Sequence, residues 1–324
     1  MHDIAFYRSA FLSHMKEKIT AKEPAGLYEP MLYILNIGGK RLRPVMVLLS
    51  AEIFGSSYKN ALDAALAIEV FHNFSLVHDD IMDDAPLRRG KETVHEKWNI
   101  NTAILSGDAM LINAYQLFEN YEVHTFQEMA KLFTRTAIEV CEGQQYDVDF
   151  ETRENVNIDE YLKMIRYKTA VLVGASLEMG AIVAGAKNSC RKQIHEFGCL
   201  LGIAFQLQDD YLDAFGDPEK FGKQVGGDII ENKKTFLYLK AIEQSSIGEA
   251  RQLEHLYTID PRDASQKIET VKNIFELSGA AKSTQKEIEK YTEKAFALLD
   301  EIAIEESQKM ILRSFGDSLM TRTV

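Results

Sequence analysis

Two apolar stretches of this chain, VFHNFSLV and FGCLLGIAF, each run directly into aspartates spaced Asp-Asp-x-x-Asp, first in HDDIMDD at His78–Asp84 and again in QLQDDYLD at Gln206–Asp213. On a helix the outer members of each motif, Asp79 with Asp83 and Asp209 with Asp213, stand one turn apart on one face. Asp80 and Asp84 form the same i,i+4 pair within the first motif. Each like-charged pair of this kind destabilises a helix by roughly 0.2–0.5 kcal/mol. A solvated acidic helix end explains one such cluster. Two of them, each closing an apolar helix, ask for a positive occupant. Carboxylate oxygens at this density suit hard cations, and magnesium is usually held by one or two carboxylates together with substrate phosphates. The motifs therefore ask for a phosphorylated ligand.

The rest of the chain sets the frame for those helices. With six prolines in 324 residues and hardly any alternating β-rich run, the sequence reads as all-α. The periodicity predicts helices over roughly 3–20, 26–36, 43–54, 58–83, 100–121, 124–148, 158–184, 189–215, 232–243, 261–278, 280–303 and 306–320. Two interruptions, Ala85–His95 and Gly216–Lys233, begin just after the aspartate motifs and read as loops placed to close over a ligand. Composition shows no seam, so residues 1–324 are expected to form a single domain. No run of 18 apolar residues marks a membrane span, and the charged N-terminus lacks the apolar core of a signal peptide, which predicts a cytoplasmic protein. A net charge of −12 argues against nucleic acid and anionic membranes as partners. Cys141, Cys190 and Cys199 have no CxxC spacing and read as core residues.

Basic residues follow the same logic. GGKRLRP at Gly38–Pro44 is not a Walker loop, yet Lys40, Arg41 and Arg43 offer charged donors to phosphate beside glycines that permit close backbone approach. A plain basic helix start is the alternative. Arg88 and Arg89 follow the first motif, with Pro86 between, so they do not pair with its aspartates along one helix. His72 lies about 20° from Asp79 around an ideal helix axis and can present a donor beside the metal site, whereas His78 lies about 100° away and reads as structural.

Taken in order, GGKRLRP, HDDIMDDAPLRRG, YKT at Tyr167–Thr169, QLQDDYLD, Gly222-Lys223 and GGDIIENKKT at Gly226–Thr235 resemble the trans-isoprenyl diphosphate synthases, the polyprenyl synthetase family, from about residue 30 to residue 240. The resemblance implies an all-α, single-domain isoprenoid synthase bundle of about a dozen helices around a central active-site cavity, and a homodimer. It implies that isopentenyl diphosphate is condensed with an allylic diphosphate (dimethylallyl, geranyl or farnesyl) with the aid of magnesium, about two to three ions. Carried over by position, Asp79, Asp83 and Asp209 are the metal ligands, and Asp80, Asp84, Asp210 and Asp213 support them. Arg88, Lys168, Lys223 and Lys233 are expected to hold the allylic diphosphate, and Lys40, Arg43, His72 and Arg89 the isopentenyl diphosphate. Thr169 and Gln206 flank the carbocation. Phe74, five residues before the first aspartate, stands where the family places a floor to the chain pocket, with Phe71 and Ser75 beside it, and the expected product is geranylgeranyl diphosphate ahead of farnesyl diphosphate.

Three other readings fit less of the sequence. A class I terpene cyclase usually carries an NSE-like second motif and has no use for GGKRLRP. A His-Asp phosphohydrolase built on His78-Asp79 leaves the second motif unexplained, and a non-catalytic partner subunit typically lacks one of the two motifs.

Overall fold

The computed structural model describes residues 2–217 and 225–320. Lys223 lies outside the described residues. The fold is all-α: α1 is Ile4–Lys18, α2 Ala25–Asn36, α3 Leu42–Ile53, α4 Leu62–Met82, α5 Val94–Lys97, α6 Ile100–Gln116, α7 Val123–Thr152, α8 Ile158–Ile165, α9 Val171–Val183 and α10 Asn188–Phe215. After them come α11 Gly227–Ile230, α12 Phe236–Gln244, α13 Ile247–Leu256, α14 Ser265–Leu277, α15 Ala280–Glu301 and α16 Glu306–Met320. Among the described residues, no helix is long and apolar enough to cross a membrane.

Residues 1–136 and 175–195 form one compact unit, and residues 137–174 and 196–324 another. In the first unit α4 is buried on every side from Ala64 to Phe71, as its run AALAIEVF, small and apolar except for Glu69, demands. It packs against α3 and α6. Phe71 closes on Phe133 at 5.0 Å between ring centroids, and Phe133 meets Phe118 at 5.2 Å, both edge-on. Gly180 lets α9 rest against the α3 backbone, where an added Cβ would strike Val47 and Ala51. In the second unit Phe150, Tyr161, Leu207, Phe236 and Phe275 anchor the core.

Several sequence expectations need correction. The interval Ala85–His95 is not a plain loop: Leu87–Arg88 pairs antiparallel with Lys91–Glu92, and α5 follows. The predicted helix 58–83 is a 3-10 turn, Tyr58–Ala61, followed by α4, which ends at Met82. The predicted helix 100–121 stops at Gln116, and 158–184 is α8, a π-helical segment Arg166–Ala170, and α9. Helix α13 was not expected at all, although Ser246 and Glu249 cap it reciprocally. Of the three cysteines, all free, Cys190 and Cys199 are buried as expected, but Cys141 is exposed.

Candidate active site

In the first unit the C-terminus of α4 determines where each aspartate goes. Asp83 N–H donates to the Asp79 carbonyl at 2.9 Å, so these two remain one turn apart. The helix then closes as a Schellman motif, with Asp84 N–H on the Ile81 carbonyl at 3.4 Å and Ala85 N–H on the Asp80 carbonyl at 3.0 Å. Asp84 occupies the left-handed position there, with φ 48°, so it does not share a helix face with Asp80 as the spacing had suggested. Asp80 is 1 % exposed and is gripped by Arg88, whose Nε lies 2.8 Å from Oδ1 and 2.9 Å from Oδ2 and whose Nη2 lies 2.6 Å from Oδ1. Burial raises the Asp80 carboxyl above its ordinary value, and Arg88 pulls it back. Arg88 also reaches Asp79, 3.7 Å away.

The pairing that helix geometry ruled out is made by the hairpin. Its two-residue turn, Arg89-Gly90, has φ of 54° and 74°, the positive pair that a type I′ turn needs. Arginine rarely adopts this conformation, and here it directs the side chain at GGKRLRP, where Nη1 donates to the Gly38 carbonyl. Gly39, at φ 127°, holds a backbone conformation that favours glycine, and the Arg89 guanidinium packs where a Cβ would stand, with Nη1 2.7 Å away. Arg43 Nη1 lies 3.3 Å from His72 Nε2. Burial, then Arg43, Arg89, Arg88 and Arg41 in that order, hold the His72 imidazole well below its usual range, so it is neutral. Arg43, His72 and Arg89 are thus brought together, and Lys40, which follows Gly39 in the chain, is exposed.

Arg41 is different from its neighbours. It is buried, donates to Glu69 and to the Leu35 carbonyl, and fixes the start of α3 instead of facing solvent. His78 Nε2 lies 3.2 Å from the Ile104 carbonyl, and its ring fills the space that Gly107 leaves open, in keeping with a structural role. Phe71 is fully buried, Phe74 is half-buried between Phe71 and His78, and the Ser75 hydroxyl donates to the His72 carbonyl at 2.8 Å.

In the second unit, Tyr167-Lys168-Thr169 lies inside the π-helical segment. Such an extra residue per turn is a frequent mark of functional sites because it re-aims side chains. Two glycines admit it: a Cβ on Gly143 would strike the Lys168 backbone, and one on Gly202 would press on Ala170. Lys168 Nζ sits 2.6 Å from Asp147. Thr169 Oγ1 donates to Gln206 Oε1 at 3.0 Å, and Gln206 Nε2 donates to Asp210 Oδ1 at 2.9 Å. The Tyr161 hydroxyl donates to the other Asp210 oxygen.

Burial raises the Asp210 carboxyl to about 7; the bonds from Tyr161 and Gln206 oppose that rise, and the charges of Asp209 and Asp213 add to it. Asp213 accepts the Asp228 backbone N–H at 3.0 Å, and Asp228 itself is raised by burial and then by Asp210 and Asp213. Lys168, Thr169, Gln206, Asp210 and Lys233 line one pocket with Asp147, Asp228 and Lys234. Asp209 is half-buried on α10 next to that pocket-lining carboxylate. Asp147, Tyr161 and Asp228 were not singled out from sequence. Asp228 at least lies within the GGDIIENKKT stretch.

The sequence profile described as polyprenyl synthetase matches residues 24–277. The chain belongs to the polyprenyl synthetase family. It is 39% identical over 315 residues to the geranylgeranyl pyrophosphate synthase of Geoglobus acetivorans, covering 95% of this chain and 94% of that protein. It is 38% identical to the geranylfarnesyl diphosphate synthase of Natronomonas pharaonis, with 86% and 84% covered. A crystal structure of a geranylgeranyl pyrophosphate synthase superposes with a TM-score of 0.96 at 55% identity, covering 99% of each chain. The geranylgeranyl pyrophosphate synthetase of Pyrococcus horikoshii superposes at 0.90 with 33% identity and 98% of each chain covered. Among family members, then, this chain is similar to ones named for short products.

Proposed function

We propose that the protein is a short-chain trans-prenyltransferase that condenses isopentenyl diphosphate with allylic diphosphates and releases geranylgeranyl diphosphate as its main product. The observation that carries this reading is that α4 and α10 each end in aspartates accompanied by diphosphate donors, the cationic Arg43 and Arg89 with neutral His72 in one unit and Lys168 and Lys233 in the other. The names of the relatives support the reaction class and the product.

Magnesium fits the donors present. Asp79 and Asp83 offer only oxygen, are one turn apart, and are half-buried and exposed, whereas Asp80 is enclosed and taken by Arg88. Asp79, Asp83 and Asp209 are therefore the proposed ligands. Once bound, magnesium supplies positive charge to the departing diphosphate.

The chain's own groups account for the rest. Arg43, His72, Arg89 and Lys40 bind the isopentenyl diphosphate, with His72 acting as a neutral donor. Lys168 and Lys233 hold the allylic diphosphate, with Arg88 bracing Asp80 beside Asp79. Lys223, expected to join them, lies outside the described residues. The allylic carbon–oxygen bond breaks, the isopentenyl double bond attacks the resulting cation, and a proton then leaves to the released diphosphate. The oxygens of Thr169 and Gln206 supply dipoles suited to stabilising that cation. No side chain acts as nucleophile, and positioning carries the catalysis. Phe74, with Phe71 behind it, is proposed as the floor of the chain pocket. The single-domain organisation, cytoplasmic location and homodimer belong to the same reading.

Incubation with magnesium, isopentenyl diphosphate and dimethylallyl, geranyl or farnesyl diphosphate, followed by chromatography of the dephosphorylated products, tests it. Geranylgeraniol is the expected product, and Phe74→Ala should lengthen it. No elongation from any primer would overturn the reading; an unchanged distribution in Phe74→Ala would remove the floor.

A further inference from the structure

At the base of the arginine hairpin, Asp84, His95 and Glu96 bring their donor atoms within 4.8 Å of one another. Asp84 is the left-handed residue where the chain leaves α4, and His95 and Glu96 lie in the first turn of α5, just after the second strand. The two carboxylates are exposed, but His95 is 7 % exposed. Both of its ring nitrogens are enclosed and neither makes a hydrogen bond. Glu96 Oε1 stands 3.7 Å from its Nε2, beyond hydrogen-bond reach. A buried polar group left without a partner is costly and rare in native proteins.

We infer that Asp84, His95 and Glu96 bind a divalent transition-metal ion of the zinc class, separate from the magnesium ligands proposed on Asp79, Asp83 and Asp209. The donor types decide the class: an imidazole nitrogen suits zinc, nickel, copper or iron, whereas magnesium favours an all-oxygen shell. One histidine and two carboxylates give three protein ligands and leave the fourth tetrahedral position to water. Ligand atoms around tetrahedral zinc are about 3.3 Å apart, so the exposed Asp84 and Glu96 side chains close in by up to about 1.5 Å while the buried ring stays in place.

The ion clamps the two ends of the segment that carries Arg88 and Arg89. That segment is otherwise closed by the short hairpin ladder and by Thr93 N–H donating to the Pro86 carbonyl at 3.1 Å. It therefore serves to hold both arginines in register with the end of α4.

The test uses Co2+ as probe on chelator-treated full-length protein held in a large excess of Mg2+, so that magnesium fills the all-carboxylate positions. About one equivalent of Co2+ should be retained with a visible d–d absorption band, and the melting temperature should rise. Glu96→Gln, at an exposed position, and Asp84→Asn, which tolerates the left-handed conformation, should each weaken retention about tenfold or more. His95→Gln should abolish the band. Loss of Co2+ to the magnesium excess, or retention unchanged in Glu96→Gln, overturns the site, and the Glu96 variant decides even if His95→Gln fails to fold. The readout is binding and not turnover, so its outcome is independent of the prenyltransferase reading.

Discussion

His72 shows how one side chain links charge, stability and ligand choice. Its imidazole is neutral in the folded protein, but in the unfolded chain it protonates below about pH 6.5. The unfolded state therefore binds more protons, and the stability His72 contributes above that pH is lost as pH falls toward its depressed folded value. The fall in melting temperature between pH 7.5 and 5.5 should be smaller in His72→Gln, followed by calorimetry at both pH values. Arg88 makes the complementary point. Because it is the main partner of a buried carboxylate, Arg88→Ala should lower stability by about 3 kcal/mol, quite apart from any effect on substrate. Adding Asp80→Asn should restore part of that loss in urea unfolding, and a purely additive double variant would refute the pairing. The residues that spacing alone grouped correctly were those on one helix, such as Asp79 and Asp83. Asp147 and Tyr161 were invisible because they reach Lys168 and Asp210 from 21 and 49 residues away, through packing and not periodicity.

Among elements, the long apolar helices could be read from their 3.6-residue period, and most ends fell within a few residues of the sequence expectation. What could not be read was local irregularity. The π segment is a five-residue step, RYKTA, between two helices, and a single inserted backbone residue in so short a stretch leaves no periodic trace. The hairpin is only two residues per strand, and its turn begins with an arginine, a poor turn signal. Helix α13 is polar enough to pass for loop, although its Ser246/Glu249 cap was there to be noticed. The π segment carries a direct prediction. Gly143→Ala drives a Cβ into the Lys168 backbone, which should cost about 1–3 kcal/mol and reduce kcat by moving Lys168 and Thr169. Gly248→Ala, where nothing lies within 4 Å, should leave kcat unchanged and hold or raise stability. Equal effects of the two in thermal melts and steady-state assays would contradict this account.

On the scale of the whole molecule, composition and charge set the class of the protein, and the family match agrees with the all-α reading. Division into two compact units had no counterpart in the sequence, where α7, α9 and α10 each supply residues to both units without any change in composition. The proposed homodimer has support in the surface of α6, where Ile104, Leu105 and Ile112 are 40%, 60% and 61% exposed. Light scattering should give twice the 36.7 kDa chain mass, and Leu105→Asp combined with Ile112→Asp should reduce it to the single-chain value. An unchanged mass in that variant would place the interface elsewhere. The exposure of Cys141, with Cys190 and Cys199 buried, has a practical consequence. The native sequence offers one chemically addressable thiol, on α7, for attaching a dye or surface tether without engineering. Because partial desolvation of the sulfur and then Glu142 raise that thiol above its ordinary value, conjugation will be slow at neutral pH and should be run under mildly alkaline conditions.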